Sequence, residues 1–196
     1  MELEGLRRAD KLVDLLRLLA FQIGHDVSLS ELGAQLGMGK NTVERYLDLL
    51  EKVFVIYSRH GFSRNLRKEI TKSRRYFFID NGIRNTLINN FNPLTLRDDL
   101  GALWENYVVT ERMKYHLYTG NAVPSYFWRT YDQQEIDLIE EERGILRAFE
   151  MKWTLPRILS PPAAWGKAYP QALYGVVSRD NYLPFITQGK HSPERH

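Results

Sequence analysis

The 196-residue sequence predicts an α/β (α+β) chain in two parts, and three observations point to it. The first fifty or so residues carry apolar side chains at three- and four-residue spacing in three successive segments, the signature of short amphipathic helices. Two β-branched and aromatic runs follow, on either side of a basic stretch, and read as a pair of strands. After an interval rich in Asn and Pro, a longer helical pattern leads into runs separated by turn residues at hairpin spacing, as in a helix followed by a sheet.

Composition narrows the class. With 43% hydrophobic and 12% aromatic residues the chain has enough apolar surface for a packed core, which excludes intrinsic disorder. The net charge of +3 permits a polyanionic partner without requiring one. There is no cysteine, so disulfides, thiolate metal sites and Cys nucleophiles are excluded, and a reducing cytoplasm fits best. No run approaches the roughly 20 apolar residues of a membrane span, and MELEGLRRAD lacks the apolar core of a signal peptide. A soluble cytoplasmic protein with no membrane partner is expected.

In the first helix, Leu12, Leu15, Leu16 and Leu19 make one buried stripe between Lys11 and Phe21. Ser28 followed by Glu31 is a capping-box pattern that opens a second helix ending near Leu36, where Gly37 stops it. A third starts near Lys40, with Val43, Tyr46, Leu47, Leu50 and Val53 inward and Lys40, Asn41, Thr42, Glu44, Arg45 and Asp48 outward. Strands are expected at VFVIY (53–57) and YFFI (76–79). Between them Arg59, Arg64, Arg67, Lys68, Lys72, Arg74 and Arg75 face one acid, Glu69. This is the pattern of a helix-turn-helix with a basic wing over residues 11–80. Lys40, Asn41, Thr42 and Arg45 would meet the major groove of DNA, while Arg64, Arg67, Lys68 and Lys72 hold phosphates. Glu44 and Asp48 on the same helix face oppose that reading, and a helical pair used for protein contact is the alternative.

Residues 81–99, with Asn81-Gly82 and Pro93, read as a linker. The second domain, expected over 100–186, opens with a helix from Leu100 to about His116, burying Leu100, Leu103, Trp104, Tyr107, Val108 and Met113. Strands are expected at SYFWRT (125–130), EIDLI (135–139) and ILRAFEMKW (145–153), then at LYGVV (173–177), with short helices near 163–169 and 181–186 and a disordered tail at 187–196. Glu140, Glu141 and Glu142 read as a solvated hairpin tip, the tryptophans as core, and His25, His60, His116, His191 and His196 show no metal spacing.

The chemistry-bearing pattern is Asp137 in EIDLI followed by Glu150 and Lys152 in FEMKW. Alternation along a strand puts Glu150 and Lys152 on one face and lets Asp137 of the neighbouring strand converge on them. Two carboxylates with a water shell suit Mg²⁺, and a lysine beside them can stabilise developing charge or position an attacking water.

In order and spacing these residues resemble the PD-(D/E)xK nuclease-like superfamily over roughly 100–178. That resemblance implies a restriction-endonuclease-like mixed-sheet domain, with Asp137 and Glu150 as metal ligands, Glu105 of GALWENYVVTE as the helical acid and Lys152 orienting the nucleophile. Many members of that superfamily have lost catalysis.

Nearly the whole chain, through LGMGKNTVERYLDLLEKVF, YFFIDNGIRN, GALWENYVVTER, YFWRTYDQQEIDLIE and AFEMKW, also resembles the C-terminal region of a prokaryotic family of AAA-type ATPases. There a winged helix and a nuclease-like domain of unknown function follow a P-loop domain. This chain has no ATP site of its own: Ala34 stands where the first P-loop glycine belongs and Asn41 where Ser or Thr would be. The resemblance implies an ATPase domain acting in cis or in trans. The expected function is a nucleic-acid-associated module with Mg²⁺-dependent phosphodiester hydrolysis open. The alternatives are a non-enzymatic protein-interaction or homo-oligomerisation module, and a repressor in which the winged helix does everything.

Overall fold

The computed structural model describes residues 2–64 and 73–188, with side chains from residue 9 onward. Arg67, Lys68 and Lys72 lie outside the described residues, as does all but the start of the expected tail. The fold is mixed α/β with two sheets, and it divides into two compact units. One comprises Met1–Ser58 with Ser73–Arg97, the other Arg59–Lys72 with Asp98–His196. The second unit thus takes a segment out of the stretch read as the first domain. The reason is packing: Phe62 joins the cluster of Trp128, Ile139, Trp165 and Tyr169, and its backbone N–H donates to Phe127 O at 2.7 Å.

In the first unit α1 (Glu2–Phe21) starts well before the expected Lys11 and buries Leu15, Leu19 and Ala20. A two-residue strand β1 (Asp26–Val27) leads to α2 (Leu29–Leu36). Ser28 caps that helix by accepting from the Glu31 N–H at 3.3 Å, which satisfies an amide the helix itself leaves unpaired. Gly37 ends it in the left-handed region at φ 61°. Then α3 (Lys40–Lys52) buries Val43, Leu47 and Leu50 as the spacing predicts. Val53 departs from the expected stripe: the helix has ended, and its side chain is exposed.

The strand expected at 53–57 begins later, as β2 (Ile56–His60), because Phe54 adopts a positive φ of 58° and turns the chain first. β3 (Arg74–Phe78) lies centrally in the order β1-β3-β2. β1 was invisible in the sequence because two residues carry no periodicity. The segment read as a linker carries α4 (Asn81–Leu87), capped by Asp80, whose carboxylate accepts from the Gly82 and Ile83 N–H groups. Buried Arg84 donates to Ala20 O at 2.9 Å, tying this helix to α1.

In the second unit α5 (Leu100–Tyr118) lies on a four-stranded sheet of order β4-β5-β6-β7: β4 (Ser125–Arg129), β5 (Glu135–Glu142), β6 (Ile145–Met151) and β7 (Leu173–Val177). β4, β5 and β6 form an antiparallel meander, whereas β7 pairs with β6 in parallel after a crossover through α6 (Ala163–Ala168). The tight turn at Arg143 and Gly144 has both residues at positive φ, 52° and 80°. The short helix α7 (Tyr182–Thr187) closes the unit, with Phe185 against Phe149 at 4.9 Å between ring centroids. Among the described residues no helix is long and apolar enough to cross a membrane.

The acidic run is not the solvated tip the sequence suggests. β5 extends through it, and Glu140 is buried at 2% exposure. Its Oε1 accepts from Arg112 Nε and lies 2.8 Å from His116 Nε2, and its Oε2 accepts from Arg112 Nη2 at 2.7 Å. Burial alone would raise the carboxyl pKa, yet these partners hold it down at about 2. Period-2 alternation explains the discrepancy, since Glu140 shares its face with Leu138 rather than with Glu141.

Candidate functional site

β5 and β6 build the site between them. Their register pairs Leu138 with Phe149 and Ile139 with Ala148; continued by one residue it sets Asp137 against Glu150, and a side-chain hydrogen bond joins the two. Residues opposite each other on neighbouring strands share a face, so both carboxylates point the same way. Both residues are buried, at 6% and 8% exposure. At this point Asp137 takes over the work of the ladder: its Oδ2 accepts the Met151 N–H at 2.7 Å, which orients the carboxylate.

Lys152 sits where β6 ends. Its backbone N–H donates to Val177 O at 3.0 Å, continuing the parallel pairing, and its ammonium lies 3.0 Å from Glu150 Oε2 while staying about half exposed. The expected inward pair, Phe149 and Met151, is buried as alternation requires, and Glu150 is buried with them.

Electrostatics follow from this crowding. Burial first, and the Asp137 charge second, push the Glu150 carboxyl up to about 7 against the pull of Lys152. Burial pulls the Lys152 ammonium down, but Glu150, Asp137 and Glu105 outweigh it and raise its pKa. Glu105, half-buried on α5, therefore lies close enough for its charge to reach Lys152. Among the described residues no group of three or more His, Asp or Glu side chains is placed to hold a metal ion. The donor set is the pair Asp137 and Glu150, whose repulsion a cation would relieve.

The groove-facing residues expected in the first unit lie at the start of α3. Lys40, Asn41 and Arg45 are exposed and Thr42 is half-buried, with Glu44 and Asp48 exposed on the same helix and Asp48 ion-paired to Lys52 at 2.6 Å. Arg64 is placed elsewhere: it belongs to the second unit, where its guanidinium pairs with Glu141 at 2.6 Å and its N–H donates to Tyr169 Oη. Two other members of the basic run are buried. Arg59 is 4% exposed, and Arg75 pairs with Asp26 at 3.1 Å.

Two families match, one to each part of the sequence. Residues 1–94 match a family described as Domain of unknown function (DUF8612), and residues 100–182 match Domain of unknown function (DUF4143). Two curated relatives are similar, Uncharacterized protein Mb2031c of Mycobacterium bovis and Uncharacterized protein Rv2008c of Mycobacterium tuberculosis. Each is 32% identical over 139 residues, covering 70% of this chain and 31% of the relative. The chain thus spans about a third of the length of the curated relatives it matches. No solved structure matches it.

Proposed function

We propose that the second unit is a PD-(D/E)xK-type nuclease-like domain that hydrolyses phosphodiesters. On this reading the first unit is a winged helix that contacts DNA, and the two form the C-terminal module of an AAA-type ATPase family protein. The observation that carries the proposal is the register. Continued one residue past Leu138 and Phe149, it sets Asp137 against Glu150, to which Asp137 is hydrogen-bonded, with the Lys152 ammonium 3.0 Å from Glu150. Burying two carboxylates side by side at one strand end, with only a half-exposed ammonium beside them, contributes little to stability compared with apolar packing, so the arrangement points to chemistry.

Asp137 and Glu150 would hold a divalent cation through their oxygens and its waters. When bound, Mg²⁺ would polarise a phosphoryl oxygen and acidify an attacking water. The Met151 N–H fixes the Asp137 carboxylate through Oδ2. Lys152, held protonated by three carboxylates, supplies positive charge to the phosphorane-like transition state or aligns the water. Glu105 approaches from α5 and supports Lys152 electrostatically. In the first unit Lys40, Asn41 and Arg45 offer the contacts of a recognition helix.

A second reading, a non-enzymatic interaction module on a degenerate nuclease fold, is favoured by one feature. Glu150 already pairs with Lys152 and Asp137 with the Met151 amide, so both carboxylates have protein partners. The deciding experiment incubates the protein with linear, nicked and single-stranded DNA in Mg²⁺ or Mn²⁺, beside Asp137→Ala and Lys152→Ala. Metal-dependent cutting lost in both variants supports the nuclease. Cutting that survives Asp137→Ala, or no cutting and no metal-dependent thermal shift, removes it.

A further inference from the structure

Immediately beyond Lys152 the chain places an aromatic and cationic ledge that the proposed hydrolysis does not use. Trp153 follows the end of β6 on the side of the sheet that carries Phe149 and Met151, but it stays half-buried where those two are buried. The Arg179 guanidinium lies over its ring at 5.7 Å from the centroid and is itself half exposed. The Arg179 N–H also approaches Trp153 O at 3.5 Å, which keeps the two residues side by side. Behind Trp153 stands Trp104 of α5, edge-on at 5.3 Å, and behind that Tyr182 at 5.2 Å, with Tyr107 at 6.0 Å from Tyr182. Trp104 is fixed by donating its indole N–H to Val177 O at 3.3 Å, the same carbonyl that receives the Lys152 backbone N–H. One carbonyl therefore locks the aromatic stack and the lysine of the site together.

We infer that the Trp153–Arg179 ledge is a subsite that stacks an unpaired nucleobase, so that the Asp137–Glu150–Lys152 site takes a single-stranded or frayed strand. This rests on the nucleic-acid reading above. Three features point to a base rather than to core packing. The indole is half-buried yet keeps part of its surface in solvent, and it is backed by a second indole, which lowers the entropy cost of stacking on it. Its neighbour is a guanidinium, the other planar group on which unpaired bases stack. Trp104, which backs the indole, is followed in α5 by Glu105, whose charge reaches Lys152, so the ledge borders the site at the same stretch of that helix. A base paired inside a duplex keeps its faces covered and cannot use the ledge.

The test measures binding of labelled oligodeoxythymidine, oligouridine and a blunt duplex to the full chain in EDTA and again in Ca²⁺. It compares wild type with Trp153→Phe, Trp153→Ala and Arg179→Ala, each checked for folding by near-UV circular dichroism. Trp153→Ala should weaken single-strand binding by roughly five- to a hundredfold, the value of one lost stack, with duplex binding unchanged and Trp153→Phe close to wild type. Arg179→Ala, at an exposed position, should weaken it severalfold. Trp153 emission, taken as wild type minus Trp153→Phe, should be quenched by the single strand, and this readout holds even if Trp153→Ala fails to fold. Absence of single-strand binding, absence of quenching, or equal losses for single strand and duplex would overturn the inference. The two readings fail separately. Single-strand binding through Trp153 without cleavage leaves the ledge standing and removes the nuclease, whereas cleavage insensitive to Trp153→Ala does the reverse.

Discussion

Replacing Glu140 by Gln tests whether the second unit is held by a buried ion pair that the sequence hides. The substitution keeps the shape and removes the charge that faces Arg112 and His116. In the folded protein the Glu140 carboxyl falls from its ordinary 4.5 to about 2. At about 1.4 kcal/mol for each tenfold change in proton affinity, that corresponds to about 3 kcal/mol of stability from the ionised form. Arg112 would be left buried at 2% exposure, still donating to Phe185 O and lying 4.4 Å over its ring, without the carboxylate charge that faces it. Breaking one side of such a pair costs about 3–5 kcal/mol.

The sign with pH is fixed, because a carboxyl whose pKa is lowered by folding stabilises the protein above its unfolded pKa. The contribution is complete above about pH 5 and is lost as pH falls through 2. Urea unfolding followed by circular dichroism should therefore show Glu140→Gln destabilised by about 3 kcal/mol or more at pH 7, with the deficit shrinking toward pH 2. A deficit under about 1 kcal/mol at pH 7, or one that does not change with pH, would refute the reasoning.

Glu150→Gln should act in the opposite direction. Burial and Asp137 raise its pKa to about 7, so without metal the wild type loses stability as pH rises from 4.5 through 7, and the variant should melt higher at pH 8. Added Mg²⁺ should stabilise wild type and not the variant, as thermal scans would show. Gly33→Ala places a Cβ 2.6 Å from Met38 O in the turn between α2 and α3 and should cost about 1–3 kcal/mol by thermal unfolding. Gly39→Ala, which meets nothing within 4 Å, serves as the control and should change stability by less than about 0.5 kcal/mol. A fragment limited to residues 100–186 lacks Phe62 and should bind a hydrophobic dye and unfold at a lower urea concentration than one that also retains 59–72.

Much of this architecture was legible because it follows local rules. Ser28, Gly37 and the Val43, Leu47 and Leu50 stripe announce α2 and α3, and alternation around Asp137 and Glu150 announces their shared face. What escaped is set by partners distant in sequence. Glu140 looks like a solvated acid until Arg112 and His116 of α5 reach it, and the ion-pair partner of Arg64, Glu141, lies 77 residues on. The segment 81–99 looks like a linker because Asn and Pro dominate it, yet Asp80 caps a helix that Arg84 anchors to Ala20. For the site, Asp137, Glu150 and Lys152 came from strand periodicity, while Trp153 is ambiguous in sequence because the same indole suits a core or a ledge.

The parallel pairing of β7 with β6 has a consequence for synthesis on the ribosome. Asp137, Glu150 and Lys152 all emerge before β7, but the Lys152 backbone docks on Val177 O, and the same carbonyl receives the Trp104 indole. The crossover from 152 to 173 must be translated and closed before those bonds form, and such non-local parallel closure is slow. These three charged residues are therefore held in place only after β7 has been made and paired. A chain that stalls before Val177 carries all three charged residues without the strand that arranges them.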